Sequence, residues 1–197
     1  MDKKTDSPTG TRTPAASHGD GEHMLRDVRR PAPQLFDIRI AADGSWYHEG
    51  GLISRPALVR LFASVLRREG DGSYWLVTPV ERGRIDVEEV PFIIIAAETE
   101  GVGESQIIRL RTNVDEEFVL DAAHPLVMRR PEARDRSSGD DVRPYVTVRP
   151  GVDERPGLEG RIARPVFYEI AGYGVEGPRG RIGVWSAGTF FSLEEEA

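Results

Sequence analysis

The hydrophobic pattern of this chain changes period several times, and each change marks an element. Residues 50 to 81 read GGLISRPALVRLFASVLRREGDGSYWLVTPVE, with apolar residues at Leu58, Leu61, Phe62, Val65 and Leu66. That spacing gathers them on one stripe of an α-helix. Ser54 has the chemistry of an N-cap, and Pro56 falls in the first turn, where a missing N–H costs little. Arg67 and Arg68 suit the C-terminal end, and Gly70 can end the helix. SYWLVTPV then carries apolar residues on both faces, as an interior strand does. GRIDVEEV alternates and reads as its partner.

Strand periodicity dominates elsewhere. FDIRIAADGSWYHEG reads as strand, Asp43-Gly44 turn, strand. PFIIIAAETEGVGESQIIRLRTN reads as a second hairpin turning near Gly101 to Gly103. EEFVLD, HPLVMRR, YVTVR, IGVWSA and TFFSL are further strands, and a helix is expected from Pro156 to Ala171. Residues 131–141 have the composition of a surface loop. Residues 1–33 lack apolar periodicity and are expected to be a disordered tail; RDVRRPAP within it reads as solvated chain or a basic docking segment. RPAL at Arg55 is echoed by RPGL at Arg155, and the downstream strands carry Trp75 and Trp185. The echo suggests a duplicated strand–helix–strand unit. The pattern divides the chain into a tail (1–33), an N-terminal subdomain (34–89) and a C-terminal subdomain (90–197).

Composition narrows the function classes. Hydrophobic residues are 39% and charged residues 30%, a globular balance. The formal net charge is −7, which disfavours nucleic acid as a partner. There is no cysteine, so disulfides, thiolate catalysis and Cys-based metal sites are excluded. The longest apolar run, FIIIAA at residues 92–97, is too short to span a membrane. These features together suggest a cytoplasmic protein.

Candidate chemistry is sparse. GYGVEG, Gly172 to Gly177, matches G-x-G-x-x-G, but it follows a predicted helix and leads to a strand, so it reads as a turn. His48 and His124 are the histidines outside the tail and lack zinc-ligand spacing, so no metal or cofactor is expected. An Asp121–His124 pair has the composition of a general base or of a loop-ordering hydrogen bond. Glu88-Glu89 and Glu116-Glu117 point to opposite strand faces and form no local carboxylate dyad. Alternation places Arg109, Arg111 and Asn113 on one face of a strand, and Tyr145, Thr147 and Arg149 on one face of another. Should those strands lie together, their arginines would wall an anion site; otherwise they are solvated faces. Gly50, Gly51 and Arg55 at the first helix's start offer backbone donors and a cation for an anion, or simply a turn and a surface ion pair. Thr78, Asn113 and Tyr145 are candidate orienting hydrogen-bonders there, and Trp46 a candidate apolar wall.

Long stretches resemble the proteobacterial family known as domain of unknown function 1285. They are DIRIAADGSWYHEGGLISRPALVRLFASVLRREGDGSYWLVTPVE, VEEVPFIIIA, LRTNVDEE, AAHPL, RPYVTVRPG, RPVFYEIA and GVWSAGTFFSL, spanning roughly residues 35–193. The resemblance implies an α+β protein of two similar small subdomains with a crevice between them, and a role in ligand sensing or signal transduction. The residues themselves suggest a helix packed on a mostly antiparallel sheet in each subdomain. Three functions compete: a module for a small anionic ligand, an enzyme with a dispersed site around His124, and an adaptor with a protein partner.

Overall fold

Residues 32–131 and 141–195 are described by a computed structural model. The expectations for residues 1–31 of the tail and 132–140 of the loop fall outside the described residues. The first hairpin forms where alternation predicts it. β1 (Pro33–Ile40) pairs antiparallel with β2 (Trp46–His48), with Ile40 opposite Trp46. β1 begins at Pro33, ahead of the apolar pattern at Leu35 and inside the stretch expected to be tail. β2 passes into β3 (Gly51–Leu52) through a tight turn at Glu49-Gly50. Both turn residues have positive φ, 50° and 75°, which fits the twist of a two-residue hairpin loop. A Cβ built on Gly50 would meet nothing within 4 Å, so it is the positive φ of the turn, not close packing, that favours glycine here.

α1 (Pro56–Ser64) differs from the helix expected. Arg55, not Ser54, occupies the cap position, and no side chain caps the helix. Pro56 holds the first turn as predicted. The helix then stops at Ser64, because β5 (Tyr74–Val77) recruits the residues beyond it. Leu66 opens β4 (Leu66–Arg68) and pairs with Leu76, while Arg68 pairs with Tyr74. Arg67 and Arg68 therefore lie on a strand, and Gly70 in the turn after it. The inward side of α1 is Val59, Phe62 and Ala63, and Leu61 of the predicted stripe is 59% exposed.

β6 (Arg82–Val87) pairs antiparallel with β5 and parallel with β1, giving the order β3-β2-β1-β6-β5-β4. A second sheet contains β7 (Phe92–Glu100), β8 (Ile107–Thr112), β9 (Glu117–Val119), β10 (Leu126–Arg129), β11 (Arg143–Arg149) and β12 (Leu158–Ile162). Its order is β10-β11-β12-β7-β8-β9. Counted from its own first strand, each sheet has the order 3-2-1-6-5-4. Each consists of two antiparallel meanders joined through a parallel pair of first and last strands. The molecule is α+β and mostly sheet.

The RPAL/RPGL echo does not align with this shared order. Arg55-Pro56 precedes the fourth strand of its sheet, whereas Arg155-Pro156 precedes the sixth. The helix expected from Pro156 is also displaced. Leu158–Ile162 alternates buried and half-buried residues and forms β12, and only Arg164–Ala171 is helical, as α2. Val166 and Ile170 are the buried residues of α2, which packs on β7. A small sheet, β13 (Val175–Glu176), β14 (Ile182–Ser186) and β15 (Thr189–Ser192), closes the chain. The GYGVEG glycines lie after α2 and run into β13, as a turn. One core runs through both large sheets: Ile40, Trp46 and Leu66 belong to the same cluster as Phe92, Ile94, Ile108 and Ile162.

Candidate functional site

β6 ends at Val87 and β7 begins at Phe92, so Glu88 and Glu89 lie in the connection between the sheets. Their side chains part, as neighbours in extended chain do. Glu88 accepts from Arg39 and from the Ala42 backbone N–H at 2.9 Å, both on the first sheet. Glu89 turns to the second sheet, where its side chain is only 3% exposed. One of its oxygens, Oε1, accepts from Arg143 at 3.0 Å and from the Tyr145 hydroxyl at 2.5 Å. The other, Oε2, lies 3.2 Å from Arg161 Nε. That pair is off the line of a hydrogen bond, so both atoms are buried without a hydrogen-bond partner among the described residues. Burial, then the hydrogen bond to Glu89, push the Tyr145 hydroxyl well above the ordinary phenol range. Tyr145 is thus a fixed proton donor. A carboxylate this deeply buried is tolerated when paired and hydrogen-bonded, and Glu89 has both.

Glu89, Arg143 and Arg161 line a cleft of about 700 Å³ at the seam of the two large sheets. Ala42 and Asp43 come from the β1–β2 turn, and the Arg161 guanidinium donates to the Ala42 carbonyl at 3.0 Å across the seam. Met128, Ile162 and Phe167 supply apolar lining. Arg164 and Tyr168 contribute from α2, whose start has no side-chain cap and no acid in its first turn. That helix end favours negative charge. Three cations, Arg143, Arg161 and Arg164, share the described lining with three acids, Asp43, Glu89 and Asp141. The described lining contains no Ser, Thr, Cys or His.

The residues singled out in the sequence scatter. Trp46 and Asn113 line a separate cleft of about 230 Å³ beside the start of α1. Ser54 and Pro56 line it too, but the exposed Arg55 between them does not. Asn113 is a brace: Oδ1 accepts the Ile93 N–H at 3.0 Å, and Nδ2 donates to the Gly44 carbonyl at 3.1 Å. Gly44 has φ +84°, and a Cβ there would stand 2.7 Å from the Asn113 amide, so glycine is what lets this turn dock. Thr78 closes its own turn, exchanging hydrogen bonds with the Glu81 backbone. Tyr145 reaches the seam through Glu89.

The arginine wall does not form. β8 and β11 are separated by β7 and β12, so Arg109 and Arg111 lie apart from Arg149. Arg109 and Arg111 are exposed, and Arg111 faces Asp115 at 3.7 Å. Arg149 is committed to Glu116 and to the Ala63 carbonyl at the end of α1, at 2.7 Å.

The Asp121–His124 pair orders a turn. Asp121 Oδ1 meets His124 Nδ1 at 2.9 Å and accepts the Ala123 and His124 backbone N–H groups. The His124 side-chain hydrogen bond, ahead of the backbone ones, holds the Asp121 carboxyl below its usual range. His124 packs tilted against Phe118, ring centres 5.0 Å apart, and lines neither the seam cleft nor the cleft beside α1. Among the described residues no group of three or more His, Asp or Glu side chains is placed to hold a metal ion. No described helix is long and apolar enough to cross a membrane.

Sequence reasoning missed Glu89, Arg143, Arg161 and Arg164. Arg143 could have been found, since it shares the alternating face of Tyr145 and Arg149. Arg161 was hidden by the mistaken helix.

Comparison with known proteins accounts for almost all of the folded chain. The model of the "Domain of unknown function (DUF1285), N-terminal domain" matches residues 30–90, and that of the "Protein of unknown function (DUF1285), C-terminal domain" matches residues 91–193. A crystal structure of a DUF1285 family protein from Silicibacter pomeroyi DSS-3 is similar at 38% identity and a TM-score of 0.72, covering 83% of this chain and 82% of that one. A DUF1285 family protein from Shewanella baltica OS155, at 23% identity and a TM-score of 0.50, shares the fold; 70% of this chain and 92% of that one are covered. No curated protein matches.

Proposed function

We propose, starting from the fact that this chain belongs to the DUF1285 family, that it is a small-ligand-binding or sensing module whose seam cleft holds a small organic anion. The observation that carries this reading is the Glu89–Arg161 pair. Glu89 is buried and Arg161 half-buried in the cleft lining, and neither Glu89 Oε2 nor Arg161 Nε, both buried atoms, has a hydrogen-bond partner among the described residues. Buried polar atoms are normally satisfied, and exceptions concentrate at functional sites. A carboxylate or phosphate seated beside Arg161, Arg143 and Arg164 gains charge-assisted hydrogen bonds, and α2 adds the positive end of its dipole. Met128, Ile162 and Phe167 then cover an apolar body. A cavity of about 700 Å³ falls within the size of small-molecule sites, about 300–1,000 Å³. The lining comes from both sheets, so an occupied cleft ties them together. That is how a bound ligand becomes a signal that a partner can read.

The test is thermal melting of the wild type and Arg161→Ala against a panel of small carboxylates and phosphate esters, with neutral and cationic analogues as controls. At least one anion should raise the wild-type melting temperature by several degrees through mass action, and Arg161→Ala should lose that rise. Stabilisation by neutral or cationic compounds alone would remove the anion reading.

A further inference from the structure

The connection from β11 to β12 repeats a tripeptide. Arg149-Pro150-Gly151 returns as Arg155-Pro156-Gly157. The chain reverses between the two copies, where the Arg155 N–H donates to the Val152 carbonyl at 3.1 Å and Asp153 has φ +56°. The glycines let the two arms close on each other. A Cβ on Gly157 would stand 2.7 Å from the Arg149 carbonyl oxygen, and one on Gly151 2.6 Å from that of Arg155. Each proline fixes its own φ, so the loop is stiff before anything binds. The arginine and proline of both copies line a cleft of about 340 Å³, together with Val152 and with Arg67 and Arg68 of β4, the edge strand of the first sheet.

Four arginines meet there, and the described lining holds no acid. The seam cleft has three acids and the cleft beside α1 has Asp115. Arg68 pairs with Glu159 and Arg149 with Glu116, neither of which lines the cleft. Arg67 donates to backbone carbonyls alone, of Leu66 at 2.6 Å and Ser64 at 3.4 Å. Arg155 is exposed, and its side chain has no partner among the described residues. Its loop neighbours Asp153 and Glu154 do not line the cleft. Two cations are thus unanswered in a chain of net charge −7. Apolar surface adjoins them: Val152 is 60% exposed, and Pro150 and Pro156 are exposed too.

We infer that this cleft binds a small amphipathic carboxylate, its head on Arg155 and Arg67 and its apolar body on Val152, Pro150 and Pro156. A guanidinium meets a carboxylate with paired, charge-assisted hydrogen bonds, and the apolar body removes Val152 and the prolines from water. The volume lies at the lower end of small-molecule sites, about 300–1,000 Å³. The site is separate from the seam cleft, since no residue lines both.

The experiment titrates sodium octanoate into ¹⁵N-labelled full-length protein and follows the backbone amide signals of Gly151, Val152 and Gly157. Sodium acetate supplies the head without the body, and octylammonium chloride the body with the opposite charge. Sodium chloride at matched ionic strength is the control. The expected result is a saturable shift of these three signals with octanoate, at least ten-fold weaker binding of acetate, and no saturable shift with octylammonium or chloride. Arg155→Ala removes an exposed side chain that has no partner, so the variant should fold, and it should bind octanoate at least ten-fold more weakly. Arg67→Ala should weaken it in the same direction. Arg161→Ala should leave it unchanged, so failure of the seam reading and failure of this one are distinguishable. No saturable shift with octanoate, equal binding of acetate or octylammonium, or unchanged binding in both Arg155→Ala and Arg67→Ala would each overturn the inference.

Discussion

The two six-stranded sheets share a strand order and differ in what joins their third and fourth strands. In the first sheet residues 53–65 make the join and fold into α1. In the second, residues 120–125 make it with one turn, stapled by Asp121. The long join covers Trp46 with Phe62 and leaves a cleft at the helix start. The short join holds no helix, and the second sheet's helix comes after its sixth strand, carrying Arg164 to the seam. A repeated sheet plan therefore frames the molecule, while its unequal connections decide where unpaired polar groups collect.

The largest effects should come from the parallel strand pairs, where the sheets are most alike. Phe92 and Ile40 are both 0% exposed. Phe92→Ala should cost about 3–5 kcal/mol and Ile40→Ala about 2–5 kcal/mol. Because the core is continuous, urea unfolding of both variants should stay a single transition by fluorescence and by circular dichroism. Two separated transitions would show that the sheets are independent units.

Next comes the contrast between the two glutamates of the connection. Glu89→Gln leaves Arg143 and Arg161 facing a neutral amide, and should cost about 3 kcal/mol, the lower end for breaking a buried pair. Glu88, with a side chain 38% exposed, pairs with Arg39 at the surface. Glu88→Gln should cost less than about 1 kcal/mol. Equal losses in chemical denaturation would erase the distinction drawn between them.

Tyr145→Phe should cost about 1.5 kcal/mol, as a hydrogen bond to a charged group does. It should also change the alkaline limb. The Tyr145 pKa is raised in the folded state, so its contribution is complete below the ordinary phenol value of 10.0 and declines as pH rises above it. Stability measured from pH 9 upward should fall more steeply in the wild type than in Tyr145→Phe.

The smallest effect belongs to the short join. Asp121→Ala should cost about 1 kcal/mol. Its carboxyl is held below the ordinary value of 3.8, so its contribution is present above that pH and lost as pH falls below it. Acid unfolding of Asp121→Ala should therefore be the shallower. An acid limb identical to that of the wild type would mean that the turn orders itself without the carboxylate.

Local pattern made most strands legible, because alternation and turn residues are written over short windows. The hairpin at Asp43-Gly44 and the strand faces of Ile108 and Leu110 followed directly from it. Two failures have physical causes. The end of α1 was overrun because Val65 and Leu66 continue a helical stripe, while their pairing with β5 is a non-local competitor. LEGRI was read as helix although Leu158, Gly160 and Ile162 alternate with Glu159 and Arg161, and period two was the true signal. The seam cleft was beyond reach for a different reason. Glu89, Arg143 and Arg161 are distant in sequence and meet through the order of β7, β11 and β12, which alternation does not encode. An anion site was expected beside the first helix; the wider arginine-lined cleft stands beside the second.

The central claim is that the seam cleft holds an organic anion through Arg161. The most direct measurement is isothermal titration calorimetry of the most stabilising anion from the melting panel, on wild type, Arg161→Ala and Arg155→Ala. The account predicts one site per chain, affinity at least ten-fold weaker in Arg161→Ala, and little change in Arg155→Ala. Equal affinity in the wild type and Arg161→Ala would place the ligand elsewhere and contradict it.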